Sequence, residues 1–163
     1  MKKARSRKKA VQPVPAGYHT VTPYLACGDG AAAIEFYKKA FGAQEKMRMP
    51  GPDGKVGHAE IAIGDSRVML TSEYAAMDFL SPASRGGTTV HLHLYVKDSD
   101  ALTARAVKAG AKLLRKVEDQ FYGDRLGTVE DPFGHVWHLA THTEDLSMAE
   151  LRKRAAKKMQ PTG

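Results

Sequence analysis

The chain repeats one pattern of segments. A strand-like run near residue 25 leads into a helical stretch, and a second run near residue 94 does the same. Corresponding positions lie 66 to 69 residues apart, as in the pairs Asp29 and Asp98, Gly42 and Gly110, and Asp65 and Asp131. A repeat of this size indicates one duplicated supersecondary unit. Two related units facing each other predict a cleft, which is a common place for a ligand.

Hydrophobic periodicity predicts the order βαβββ in each copy. We therefore expect an α+β fold with two tandem βαβββ modules, 17–74 and 89–146, joined by a connector at 75–88. The first strand is predicted from His19 to Cys27. Ser147 and Glu150 have the spacing of a capping box, which predicts a short basic helix within 147–163.

Composition restricts the class of protein. At 163 residues the chain suits one domain, and its mean hydropathy of −0.41 predicts no membrane-spanning helix and no membrane partner. The single cysteine, Cys27, excludes an intrachain disulfide and favours a reducing, cytoplasmic location. No glycine-rich phosphate loop, nucleophile elbow or Cys-x-x-Cys pair is present.

The net charge of +7 belongs to the ends of the chain. Residues 10–149 carry 14 basic and 17 acidic side chains, whereas 2–9 alone carries six basic ones. We expect residues 1–16 to be a disordered basic tail. Such a tail is usually only solvated, and it would contact nucleic acid or another anionic surface weakly, if at all.

Period-two alternation assigns the strand faces. Around His91, the aliphatic residues share one face, and His91, His93 and Tyr95 share the other. The aliphatic face should meet the helices, so the polar face should line the cleft. The same rule places several further side chains on the cleft side: Thr22, Tyr24, His58, Glu60 and His138.

Two βαβββ modules with this spacing resemble the vicinal oxygen chelate superfamily, which includes glyoxalase I, bleomycin-resistance proteins, fosfomycin-resistance enzymes and extradiol dioxygenases. The resemblance spans about residues 18–146, and several segments look more narrowly like its PhnB-like branch. The segments that carry it are Ile34–Ala43, Gly57–Ser66, Tyr122–Arg125, Glu130–Trp137 and Ala140–His142. The resemblance implies an incomplete barrel and a homodimer.

The resemblance also implies four metal-ligand positions, on the first and last strand of each module. In this chain they fall at Thr22, Met69, His91 and His138, with 69 residues between equivalent positions. Module two thus offers two good ligands for one divalent metal (Zn, Ni, Fe or Mn), and module one offers none. A catalytic site usually has about three protein ligands. Glu60 or Glu73 would be the candidate third ligand and the candidate catalytic residue.

The remaining candidates bind ligand rather than metal. We expect a ligand to contact Thr22, Tyr24, His58, Met69, His93, Tyr95 and Arg125, the last through its planar guanidinium group. Each has a purely structural alternative: the histidines could hydrogen-bond across the sheet, the tyrosines could pack, and Arg125 could pair with Asp124 or Glu130. Trp137 and Cys27 lie on the helix-facing parity and are interpreted as core.

Two classes of function follow. The first is a protein that binds a small polar or aromatic molecule between the modules without a complete metal site. The alternative is a metal-dependent lyase, isomerase, thiol transferase or dioxygenase that uses His91, His138 and a nearby carboxylate. A third reading, an accessory protein that uses the basic ends, rests on charge alone.

Overall fold

A computed structural model describes residues 11–159. It contains eight strands and four helices, and it confirms the α+β fold with two βαβββ units. The order is β1 Tyr24–Cys27, α1 Gly30–Phe41, β2 Gln44–Pro50, β3 Val56–Ile63, β4 Ser66–Ser72, α2 Pro82–Arg85, β5 His91–Tyr95, α3 Ser99–Ala109, β6 Lys112–Asp119, β7 Asp124–Glu130, β8 Val136–His142 and α4 Met148–Lys158. Most of the predicted disordered tail, residues 1–10, lies outside the described residues.

Each module folds into one four-stranded sheet of the same topology. The strand orders are β1-β4-β3-β2 and β5-β8-β7-β6, with the first pair parallel and the others antiparallel. Tyr24 is paired with Met69 in the first sheet, and His93 is paired with His138 in the second. These pairs are 69 residues apart in sequence, so the repeat read from the sequence is also a repeat of register.

The long helix of each module begins and ends where local chemistry requires. The Asp29 side chain accepts hydrogen bonds from Ala31 N and Ala32 N, and Asp98 does the same for Ala101 N. Gly42 closes α1 in the left-handed conformation (φ 68°), which glycine adopts without steric cost. Helix α1 buries Ile34, Tyr37 and Phe41, and the rings of Tyr37 and Phe41 pack against Trp137 of module two.

The modules meet through their helical sides around Asp131. The Tyr37 hydroxyl in module one donates to Asp131 Oδ2 (2.7 Å), and Trp137 Nε1 donates to the same oxygen (2.9 Å). The backbone N–H groups of Phe133 and His135 donate to Asp131 Oδ1. Asp131 is only 3% exposed, so one buried carboxylate joins α1 to the turn before β8. Trp137 and Cys27 lie in the core, as predicted.

Two segments differ from the sequence prediction. The first strand begins at Tyr24 rather than His19, because Pro23 has no N–H to donate to a sheet and the chain bends at residues 20 and 21. The connector contains a 3₁₀ turn at Ala75–Met77 and the short helix α2, where the sequence predicted only a loop. Within residues 11–159, no helix is long and apolar enough to cross a membrane.

Candidate functional site

Module two presents a face of histidines and tyrosine on the side of its sheet away from the helices. His91 Nδ1 lies 3.0 Å from His138 Nε2, and His138 Nδ1 lies 3.0 Å from Thr128 Oγ1. The ring of His93 lies 4.6 Å from Tyr95 and 5.8 Å from His138, centroid to centroid. His91, His93 and Tyr95 are exposed, so this face is open to a ligand or to a second chain.

The electrostatics of this face keep His138 neutral. Partial burial lowers the pKa of His138, and the nearby His91, His93 and Arg115 lower it further. A neutral imidazole retains a lone pair that can accept a hydrogen bond or bind a metal ion. The histidine face therefore offers unprotonated nitrogen at neutral pH.

Tyr95 is fixed from behind by a buried carboxylate. Its hydroxyl donates to Asp124 Oδ2 (2.9 Å), and the other carboxylate oxygen lies 2.7 Å from His142 Nδ1. The hydrogen bond to Asp124 raises the pKa of Tyr95, and Asp124 and Asp145 raise the pKa of His142. With its proton committed to Asp124, the Tyr95 oxygen can accept a hydrogen bond from a ligand.

Module one brings Tyr24, His58 and Glu60 together. The Tyr24 hydroxyl lies 2.9 Å from His58 Nδ1, and His58 Nε2 lies 3.5 Å from Glu60 Oε1. These residues come from β1 and β3, which lie on either side of β4 in the sheet, and they share the face opposite the helix, as the alternation predicted. The side chains of His58 and Glu60 are partly buried, at 22% and 17% exposure, so each can still be reached.

A cavity of about 450 Å³ opens beside Tyr24. The ring of Phe79 in the connector lies 5.0 Å from the ring of Tyr24, centroid to centroid. Tyr74 and Met77, from the same connector, complete an apolar wall, and Thr71 and Lys55 supply polar groups. The volume and the mix of aromatic surface with a few polar groups are typical of a small-molecule site.

A second cavity, of about 490 Å³, lies further along the same face. It is lined by three residues that the sequence assigned to the site: Thr22, Glu60 and Met69. Its outer wall is the segment 13–20. Module one therefore offers two adjacent recesses, one on either side of the His58 and Glu60 pair.

Two predicted site residues form structural contacts, although Glu73 also lines the cavity of about 450 Å³. Arg125 forms a two-pronged ion pair with Asp100 (2.6 and 2.8 Å) and also contacts Asp119, so its ion-pair partners differ from those expected. Glu73 accepts a hydrogen bond from Ser81 N (2.7 Å), and hydrogen bonds from Ser84 and Ser81 lower the pKa of Glu73. The structure thus places both side chains in structural contacts, and their ligand or metal roles stay predictions.

No three metal-binding side chains converge within residues 11–159. His91 and His138 touch each other, but Glu60 and Glu73 lie in the other module. Within residues 11–159, the side-chain hydrogen bonds that join the modules lie on the helical side: Tyr37 with Asp131, His135 with Cys27 and Ala26, and Arg105 Nε with Ala40 O. A third ligand for the histidine pair therefore has to come from outside this set.

Sequence reasoning missed the residues that support the site from behind. Thr128, Asp124 and Phe79 contact His138, Tyr95 and Tyr24, respectively. For Thr128 a signal was present, because alternation along β7 places it on the same face as the histidines. Phe79 lies in an irregular connector, where no periodicity indicates which way a side chain points.

Comparisons with known proteins agree with this architecture. The profile of the Glyoxalase/Bleomycin resistance protein/Dioxygenase superfamily matches residues 18–139. The Mycobacterium tuberculosis protein Rv0887c is 45% identical over 135 residues, covering 81% of this chain and 79% of its own.

Solved structures show the same fold. The X-ray structure of the Arabidopsis thaliana gene product At5g48480 superposes with a TM-score of 0.57 at 30% identity, covering 73% of this chain and 93% of that one. TnmS3, described as an antibiotic binding protein from Streptomyces sp. CB03234, superposes with a TM-score of 0.58 at 22% identity, covering 83% of this chain and all of the other. At that identity, the similarity to TnmS3 shows the fold alone.

Proposed function

Because this chain belongs to the glyoxalase/bleomycin resistance protein/dioxygenase superfamily, we propose that it binds a small polar or aromatic molecule between βαβββ modules. The observation that carries the proposal is the cavity of about 450 Å³ beside Tyr24, which is lined by module one and by Tyr74, Met77 and Phe79 of the connector, so that module two would have to close it from a second chain. Aromatic walls favour a flat apolar ligand, and the Tyr24 and His58 pair gives it a hydrogen-bonding partner. That TnmS3, a protein of the same fold, is described as antibiotic-binding supports this class of function.

We further propose that a second copy of the chain completes the site. Within one protomer, no side-chain hydrogen bond among residues 11–159 joins the outer face of module one to the outer face of module two. The face of module two is open, with Tyr95 60% exposed. Two protomers that place module two of one against module one of the other would bring Tyr95 and His93 opposite Tyr24 and His58.

The proposed site predicts a large effect of removing its aromatic wall. A thermal-shift screen of flat aromatic compounds should find ligands that raise the melting temperature. For such a ligand, Phe79→Ala or Tyr24→Ala should raise Kd about tenfold or more, because each substitution removes a buried aromatic contact. Isothermal titration measures the change, and sedimentation equilibrium of the same samples gives the number of chains in the particle.

The matched control is Phe121→Ala, which removes an aromatic ring on module two whose recorded contacts are Tyr122 and Lys158. It should leave Kd within about twofold. Equal losses in Phe79→Ala and Phe121→Ala would count against the cavity as the site.

The contact between His91 and His138 favours a second candidate, a metal-assisted reaction. In a tetrahedral site, Zn–N bonds of about 2.0–2.1 Å put two nitrogen ligands roughly 3.4 Å apart. The His91 and His138 nitrogens lie 3.0 Å apart, so a small separation of the two rings would let both bind one ion. A bound divalent ion would act as a Lewis acid on ligand oxygens, and Glu60 of a second protomer is the candidate third ligand.

This second candidate predicts a specific loss of metal. Protein purified without chelator should contain about one transition-metal ion per chain, and His91→Ala/His138→Ala should contain almost none, because two protein ligands are gone. Elemental analysis measures the content. His19→Ala/His93→Ala removes as many imidazoles but keeps the pair, so it should keep its metal. Wild-type protein that contains no metal would contradict the metal-assisted reaction and leave the metal-free binding function.

A further inference from the structure

The segment 13–20, named here the N-terminal strap, crosses the outer face of module one. A turn within it is closed by the hydrogen bond from Tyr18 N to Pro15 O (3.1 Å). The strap forms one wall of the 490 Å³ cavity whose other wall carries Thr22, Glu60 and Met69. A ligand that reaches Glu60 at this end of the face therefore meets the strap.

The strap rests on Arg67. The Arg67 guanidinium carbon lies 5.6 Å from the centroid of the Tyr18 ring. Gly17 has φ 82°, and a Cβ at this position would come within 3.4 Å of Arg67 Nη2. Glycine therefore permits both the turn and the close approach. Tyr18 and Glu60 line the same cavity, and the nearby Glu60 carboxylate raises the pKa of Tyr18.

The strap is held lightly. Of its eight residues only Tyr18 is even partly buried, and its backbone hydrogen bond is local. Arg67 Nη1 is buried but has no hydrogen-bond partner among residues 11–159, which is a cost of the closed arrangement. Segments with few buried contacts open at low free energy compared with the whole fold.

We propose that the N-terminal strap is a movable wall of the ligand site. Tyr18 is its ligand-contacting residue, and the contact between Tyr18 and Arg67, named here the latch, holds the strap closed. Opening exposes Glu60 and Met69, and closing brings the Tyr18 ring over whatever occupies the cavity. The contact with ligand rests on the proposed binding function, whereas the opening does not. The two can therefore be tested separately.

Thiol labelling in the full-length chain tests the opening without a ligand. Met69→Cys places a reporter under the strap and leaves Glu60 in place. The native thiol should not react with the reagent, because Cys27 is fully buried and burial raises its pKa to about 12. Adding Tyr18→Ala should increase the rate at which the introduced thiol reacts with a disulfide reagent about tenfold, since the latch is lost.

Tyr122→Ala in the same Met69→Cys background is the control, because it removes a tyrosine from module two and should leave the rate unchanged. Gly17→Val, which disfavours the turn by its side chain, should raise the rate as Tyr18→Ala does. Reaction of Cys27 would report unfolding in any variant. Equal rates in the Tyr18→Ala and Tyr122→Ala proteins, with Cys27 unreactive, would overturn the proposal whether or not a ligand is found.

Discussion

Asp131→Ala should lower the free energy of unfolding by about 4 kcal/mol, through the loss of one buried acceptor. Asp131 accepts hydrogen bonds from the Tyr37 hydroxyl, from Trp137 Nε1 and from two backbone N–H groups. Alanine leaves these donors buried, and each unpaired buried donor costs roughly 1–3 kcal/mol unless water reaches it. Urea unfolding followed by Trp137 fluorescence measures the change.

The repeat supplies its own control. Asp65 lies in the corresponding turn of module one, between β3 and β4, but it is exposed, and within residues 11–159 its side chain accepts a hydrogen bond only from the neighbouring Ser66 hydroxyl. Asp65→Ala should therefore change the free energy of unfolding by less than about 0.5 kcal/mol. Asp131→Asn should fall between the two, because an amide keeps only one accepting oxygen. Equal effects of the two alanine substitutions would contradict the role given to Asp131.

Gly123→Ala should destabilise the protein by about 3 kcal/mol for two separate reasons. Gly123 has φ 95°, which an L side chain adopts only with strain. A Cβ at this position would also collide with the carbonyl oxygen of Glu144. That segment is held close because Thr143 N and Glu144 N both donate to Gly123 O. The same urea titration measures the loss.

Gly54→Ala separates the two causes. Gly54 has φ 76°, but nothing lies within 4 Å of an added Cβ. Gly54→Ala should therefore lower the free energy of unfolding by only about 1 kcal/mol, which is the effect of the backbone conformation without a collision. A Gly123→Ala protein no less stable than Gly54→Ala would show that the 143–144 segment moves away without penalty.

Local rules predicted the parts of the fold that depend on local chemistry. Alternation placed His91 and His138 on the cleft face, and the family resemblance assigned them to the first and last strands of module two, but neither predicted that the two side chains touch. The helix caps at Asp29 and Ser147 follow from local sequence, because each side chain binds backbone groups two or three residues away. Register and strand order then follow from the duplicated topology.

Contacts between distant segments were not predictable in the same way. The sequence marks Asp131 only as part of a turn, and its hydrogen bond to Tyr37 spans 94 residues. Asp124 and its partners Tyr95 and His142 are likewise joined by the pairing of separate strands. The Tyr24 cavity depends on the folded connector, in which turns and a short helix set the direction of Phe79. Periodicity carries no information about such segments.

The shared carboxylate at Asp131 also has a consequence for how the duplicated units depend on each other. In a solenoid each repeat contacts only its neighbours through similar surfaces, and an end repeat can fray while the rest persists. Here the helix of the first unit is bonded to the last turn of the second, and the Tyr37 ring packs on Trp137 at 5.6 Å, centroid to centroid. Loss of either unit strips buried donors and aromatic surface from the other. Each half therefore depends on the other, and we expect the two to unfold together in a single cooperative step.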